Sequence, residues 1–166
     1  MPIKKTTLLL NDLDRTDWRI LDILQHDARI TTKELADKLD LTVTPVAVRV
    51  RKLEDSGYIQ RYVAILDKEK IERSLVAFTG IQLGAHTQAA LRNFEQSIAR
   101  IPEVMECYRL TGKLDFLAKI AVRDMAEYNS FLIDKLSTLP DVVSVETHFV
   151  LTDIKVHTAY PLRRAK

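Results

Sequence analysis

TTKELADKLDLTVTPVAVRVRKLEDSG, residues 31–57, is the stretch on which the reading of the fold turns. Thr31 is followed three residues later by Glu34, the pattern of a capping box. In it the hydroxyl takes a free amide at the helix start and the carboxylate returns to the backbone of the cap. A short helix then runs to about Leu39-Asp40. A second helix follows almost at once: Thr42 or Thr44 can cap it, Pro45 suits its first turn, and Val46, Val50 and Leu53 form one apolar stripe. Gly57 supplies the stop.

Two helices joined by so short a turn make a helix-turn-helix, whose second member, here about 43–56, is the one that enters a DNA major groove. With Val46, Val50 and Leu53 facing inward, Thr44, Pro45, Ala47, Val48, Arg51 and Lys52 lie outward, with Thr42 at the helix start. Small groups near the beginning permit close approach to bases, and cations further along reach phosphates or guanine edges. Arg49 lies beside the buried stripe and is expected to hold the helix against the DNA backbone. Lys33 and Arg61 are candidate phosphate contacts. The same residues also fit a three-helix packing module without a DNA role, in which 49–52 followed by Glu54-Asp55 is a solvated face.

Upstream, Leu13, Ile20, Leu21 and Leu24 repeat at helical spacing, with Asp12 and Asp14 available for the N-terminus. His26-Asp27-Ala28-Arg29 breaks that pattern. Downstream, residues 58–65 are β-rich and predict a small wing. These elements form a first domain, residues 1–66, that includes an N-terminal extension. The charged stretch 67–74 is the expected linker, and a second domain occupies 75–166.

In that second half the period changes. Residues 75–83, 104–110, 116–122 and 142–151 read as strands. Leu91, Phe94 and Ile98 mark one helix; Asp124 and Glu127 open another, carrying Tyr128, Phe131, Leu132 and Leu136. Ile101-Pro102-Glu103-Val104 and Leu139-Pro140-Asp141-Val142 repeat one device, in which proline stops a helix, an acidic residue turns the chain and valine starts a strand. The order βαββαβ predicts a ferredoxin-like antiparallel sheet, so the whole chain is α+β: a winged helix-turn-helix followed by this domain. Helices cover one face of such a sheet, and the other face needs a partner if it is apolar. The last strand carries apolar residues on both faces, which predicts burial on both sides.

Composition is that of an ordinary soluble globular chain: 166 residues, 46% hydrophobic, 29% charged, net charge +2. No apolar run approaches the roughly 20 residues of a membrane helix, and residues 1–10 lack the features of a secretory leader. A cytoplasmic location is expected. Cys107 is the sole cysteine, fits a reducing compartment, and is expected to be buried in a strand. His26, His86, His148 and His157 show no metal spacing, and no nucleophile-elbow, phosphate-loop or dinucleotide motif occurs. Asp115 and Glu106 are imaginable as a carboxylate pair, but nothing supplies a cleft. No enzyme activity, metal or cofactor is expected. The basic tail 163–166 reads as a solubilising end or an accessory DNA contact.

Leu13-Asp14-Arg15-Thr16-Asp17 with Ile20-Leu21, Asp27-Ala28-Arg29-Ile30 with Glu34-Leu35-Ala36, and the run from Leu41 to Glu54 together resemble the N-terminal half of the Lrp/AsnC regulators. Gly57-Tyr58-Ile59 resembles the start of their wing. Gly112-Lys113-Leu114-Asp115-Phe116 resembles their Gly-x-x-Asp loop, and Leu139-Pro140-Asp141-Val142 their final helix-strand turn. The resemblance covers nearly the whole chain in order. It implies dimers assembling into tetramers, octamers or larger discs, with an amino acid or similar effector between dimers. It also implies an effector site built from Gly112, Lys113, Leu114 and Asp115, from Met125, and from Thr147, His148, Phe149 and Val150. Loop amides would take a carboxylate, Asp115 an ammonium, and Met125 with Phe149 an apolar side chain. Lys113, His148 and Val48 depart from the family's usual residues. Lys113 and His148 either bias the effector toward an acidic or polar one or are a solvated loop cation and a packed strand residue; Val48 would shift base preference. Trp18 also departs, and is expected to pack against residues 2–10.

The expectation is therefore a sequence-specific, effector-responsive regulator that binds double-stranded DNA as a homo-oligomer. Two other readings fit the residues: a broad-specificity architectural DNA-binding protein, and a small-molecule-binding oligomer without DNA binding.

Overall fold

The computed structural model describes residues 13–162. The expectations placed on residues 2–10 and 163–166 lie outside them. The chain divides into two compact units: 13–64 together with 155–162, and 65–154. The second domain is expected over 75–166, and by packing the described residues 155–162 at its end group with the first unit. There Gln25 grips the Tyr160 backbone, its amide donating to the carbonyl (3.0 Å) and its oxygen accepting from the N–H (2.8 Å).

The first unit holds α1 (Arg15–His26), α2 (Thr32–Leu39) and α3 (Val43–Asp55). None exceeds 13 residues, a length at which an isolated helix is marginal in water, so caps and burial must supply the stability. Thr31 accepts from the Glu34 amide (3.2 Å) and Glu34 accepts from the Thr31 amide (2.8 Å), completing the capping box predicted for α2. A second box starts α1: Asp14 accepts from the Asp17 amide (2.9 Å), and Asp17 returns to the Asp14 amide (3.2 Å). Thr42 sits at the N-cap of α3 without a side-chain cap bond. At the far end Gly57, with φ of 76°, donates to Glu54, and Tyr58 donates to Leu53 (both 2.9 Å), a Schellman stop. Ile20, Leu35, Leu39, Val46 and Leu53 form the buried core, each stabilising by roughly 1.5–3 kcal/mol.

The strand predicted over 58–65 is not formed. The segment begins with a bend at Tyr58-Ile59 and pairs with no strand among the described residues, and turns occupy 68–72 where the second strand of a hairpin would lie. Tyr62 instead donates its hydroxyl to Glu54 (2.8 Å). Burial, with help from that carboxylate, pushes the phenol up to about 12.

The second unit is a four-stranded sheet in the order β2-β3-β1-β4, every pair antiparallel. Its strands are β1 (Leu75–Leu83), β2 (Val104–Arg109), β3 (Phe116–Val122) and β4 (Val142–Phe149). Helices α4 (Gln88–Ile98) and α5 (Met125–Phe131) belong to it, and α5 continues as a π-turn over Leu132–Leu136. This is the predicted βαββαβ order. Ala77 and Ile81 of β1 and Phe116, Ala118 and Ile120 of β3 share one face with Leu91, Phe94 and Phe131 of the helices. Phe94 and Phe116 meet at a ring separation of 4.5 Å.

Two expectations fail at the sheet's edges. Val143 is 65% and Leu151 97% exposed, so β4 is not buried on both sides. It is an edge strand, and the helices cover only one of its faces. Cys107 is likewise exposed on the other edge strand. Its thiol lies on the helix side, paired across from Ala118; partial burial there, with the Glu95 carboxylate, raises it to about 11. A thiol held protonated in this way is a poor nucleophile.

Candidate functional site

On α3 the apolar and outward stripes separate as the 3.6-residue period requires. Val46 and Leu53 are buried and Val50 is half-buried, while Thr44, Pro45, Ala47, Val48, Arg51 and Lys52 are exposed. Residues 44, 47, 48 and 51 follow the i, i+3, i+4, i+7 rule and so make one continuous ridge. Val48 is 64% exposed. An aliphatic side chain gains nothing from water there, but it matches a thymine methyl. The Arg51 side chain is 83% exposed, with Asp55 at 4.0 Å. Thr42, Lys33 and Arg61 are exposed as well.

Arg49 departs from its expected role. Its Nη1 donates to Asp14 Oδ2 at 2.6 Å and to Asp17 Oδ1 at 2.7 Å. The guanidinium therefore ties α3 to the first turn of α1. The Asp17 side chain is 3% exposed and that of Asp14 52%. The hydrogen bonds that Arg49 donates to Asp17 and then to Asp14 raise its guanidinium above its ordinary value. Burial pushes the Asp14 carboxyl up, but the Asp17 amide and Arg49 together outweigh it and hold it low. In the sequence Asp14 is legible only as a helix cap and Asp17 only as part of the run that carries the family resemblance. Nothing in their spacing announces a cation 32 residues away.

The residues expected to bind an effector fall into two groups within one chain. Gly112, with φ of 115°, turns the β2–β3 loop. Leu114 from that loop folds over Gly80, where a Cβ would come within 2.5 Å of its Cδ1, and so lies on the face without helices. Asp115 accepts from the Leu83 amide and from His86 Nε2, both at 2.8 Å. His86 was not among the expected site residues, and its pairing depends on a contact across 29 residues. Lys113 is exposed.

Met125, Thr147 and Phe149 form the second group. Phe149 pairs with Ala77 and Phe116 with Ile81, so Phe149 stands roughly 13 Å along β1 from the Phe116 end at about 3.3 Å per residue, and Thr147, opposite Thr79, about half as far. Thr147 joins a hydroxyl cluster with Tyr128 and buried Thr79, and the Tyr128 ring meets Phe149 edge-on at 4.9 Å. Met125 is exposed. His148 faces away from this cluster: it pairs with Phe78 on the uncovered face and lies 3.4 Å from Glu146. Val150, half-buried, continues the ladder by donating to Val76 at 2.9 Å.

Trp18 is half-buried against the returning segment, in a groove of about 650 Å3 that also includes Arg15, Arg19, His157 and Tyr160. Among the described residues, no helix is long and apolar enough to cross a membrane, and no cluster of His, Cys, Asp and Glu has the makings of a metal site.

Comparison with known proteins agrees with this architecture. The Lrp/AsnC ligand binding domain matches residues 76–160, and a winged helix-turn-helix DNA-binding domain matches residues 13–60. The chain is 37% identical to the Bkd operon transcriptional regulator of Pseudomonas aeruginosa, over 91% of this chain and 99% of that one. It is also 37% identical to the leucine-responsive regulatory protein of Escherichia coli, over 87% and 88% of the two chains. Among solved structures, a Neisseria meningitidis transcriptional regulator in complex with L-Met superposes with a TM-score of 0.87 at 34% identity, covering 91% of this chain and 97% of that one. Escherichia coli AsnC superposes with a TM-score of 0.81 at 26% identity, covering 89% and 97%. A DNA-reading helix with an outward ridge, a ferredoxin-like sheet behind it in sequence, and these matches along almost the full length place the chain in the Lrp/AsnC family of transcriptional regulators.

Proposed function

We propose that this regulator reads double-stranded DNA with the ridge Thr44, Ala47, Val48 and Arg51, flanked by Thr42, Pro45 and Lys52. Lys33 and Arg61 contact phosphates, and an amino acid or closely related molecule sets the response. The observation that carries the reading is the exposed ridge on α3, whose opposite side is committed to the core. Small and aliphatic groups near the helix start suit base edges, and the cations suit backbone and guanine. A net charge of +2 favours selective over broad binding, since an architectural protein draws its affinity from many cations.

The effector site is assembled from more than one chain. One copy offers the Asp115 loop and another the Met125, Thr147 and Phe149 end, which reconciles their separation within a single protomer. The face carrying Val76, Phe78, Leu114 and Leu117 has no helix over it and is covered by a second copy, giving a dimer that builds tetramers or octamers. The Neisseria relative's L-Met supports an amino-acid effector. The protein works in the cytoplasm, where its DNA is.

Selection of genomic fragments with and without an amino-acid pool tests this reading, with Arg51→Ala weakening a selected site by about tenfold. Binding that shows a steep salt dependence and no fragment preference would replace it with the architectural reading. For the effector, Asp115→Ala and Phe149→Ala chains are each expected to lose the response. Mixed after unfolding and refolding together, they are expected to recover part of it, because some sites then receive intact residues from both copies. No recovery would place the site within one chain.

A further inference from the structure

Arg49 projects from the middle of the reading helix, on the flank between the outward ridge and the buried stripe, and both of its carboxylate partners stand at the N-terminus of α1: Asp14 at the cap and Asp17 in the first turn. Two carboxylates surround one guanidinium, so the clasp carries a net negative charge beside a surface that must meet phosphates. A protein selected only for tight DNA binding gains nothing from that arrangement. Each cation that reaches a phosphate releases a counterion and adds affinity to every sequence alike. Beyond its stabilisation of the unit, the clasp contributes through geometry. Side chains stand about 5–6 Å from a helix axis, so a roll of roughly 10° moves their tips by about 1 Å. That is enough to break a base-edge hydrogen bond whose length varies by only a few tenths of an ångström.

We infer that the Asp14–Arg49–Asp17 clasp is a selectivity element, with Arg49 a positioning residue. It fixes the roll of α3 against α1 so that the ridge meets base edges in register. It also withholds one cation from the phosphate backbone, lowering affinity for every unselected sequence. Recognition therefore depends on two acidic residues that touch no DNA. The inference rests on α3 being the reading helix.

The two halves of the claim predict opposite signs, which separates them from a purely structural role. Asp14→Asn keeps an N-cap side chain of nearly equal quality and removes the half-exposed charge. Asp17→Asn removes the buried one while retaining an oxygen for Arg49. The full-length variants are titrated with a fragment selected by the wild type and with a scrambled fragment of equal length, across a salt series. Affinity for the selected fragment is expected to fall about tenfold. Affinity for the scrambled one is expected to rise two- to fivefold as loss of one acidic charge weakens the clasp, with the salt slope steepening by about 0.9 in the Asp14→Asn/Asp17→Asn double variant, where Arg49 faces no carboxylate. Arg49→Lys, which keeps the charge but lacks the planar fork, is expected to lose selectivity as well. Thermal melting and oligomeric state, recorded for each variant, identify any that fail to fold.

Parallel increases on both fragments for the Asn variants, together with full selectivity in Arg49→Lys, would make Arg49 an ordinary phosphate contact and overturn the inference. Equal losses on both fragments with lowered melting would reduce the clasp to scaffold. A wild-type chain that prefers no fragment removes the reading of α3 itself, and the clasp with it; that result is read before any variant is made.

Discussion

The two units solve different problems. In the first, three short helices enclose a small core and leave a complete ridge on one side, so a single chain carries every group expected at a base edge. In the second, helices cover the sheet on one face only, and the groups expected around an effector are spread along it, Phe149 roughly 13 Å along β1 from the Phe116 end. The contrast teaches where regulation has to live. On the proposed function, DNA reading would be a property of the protomer, whereas effector sensing would require chains to meet.

The sharpest way to break that contrast uses the single tryptophan, Trp18, which lies in the first unit. Phe94→Ala removes a fully buried ring from the second core and is expected to cost about 3–5 kcal/mol. Far-UV circular dichroism in urea should show that loss while the Trp18 fluorescence midpoint stays put. A Trp18 transition that moves by the same amount would mean the units melt as one. The converse variant, Arg49→Met, strands the Asp17 carboxylate. Roughly 2–3 kcal/mol is expected, below the full penalty of a buried pair because a third of the Arg49 side chain is open to water, and here the Trp18 midpoint should move. Thr31→Ala removes the cap of α2 and should cost about 1 kcal/mol, again seen by Trp18 alone.

The smallest effect is on acid sensitivity. Asp14 in the first unit and Glu106 in the second are both held below their ordinary values. Glu106 is held there by the Tyr108 hydroxyl and Lys119, and Asp14 by the Asp17 amide and Arg49 against the effect of burial. Such carboxyls bind protons more weakly when folded than when unfolded. Their stabilisation is complete above the normal carboxylate range and is lost as the pH falls below about 4. Urea midpoints at pH 6 and pH 3.5 should fall for both units, and Asp14→Asn should flatten the fall for Trp18 only.

Much of this was legible because it is local. The Thr31/Glu34 box, the Gly57 stop, the apolar stripe of α3 and the twin Pro-acidic-Val turns depend on residues within a few positions of one another. Periodicity and capping chemistry report such things directly. What was missed depends on distant neighbours. Arg49 was assigned to DNA because nothing along the chain reveals that Asp14 and Asp17 stand opposite it. Cys107 and Val143 were expected inside because apolar alternation marks a strand but not whether that strand lies at the centre or the rim. Residues 58–65 have the composition of a strand and lack a mate. The family resemblance named the effector residues as one set, and only the register of β1 with β3 and β4 shows that a protomer keeps them apart.

Gln25, by holding the backbone at Tyr160, gives the polypeptide an unusual itinerary: it leaves the helical body after Ala64, builds the entire sheet, and comes home. The sheet is in effect spliced into the helical body and joined to it by two covalent leads. Both ends of the sheet unit are therefore continuous in the chain with the helical unit, so neither unit can be excised by a single cut. A fragment cut after Ala64 would lack the returning lead, and Gln25 would give up both of its bonds to water.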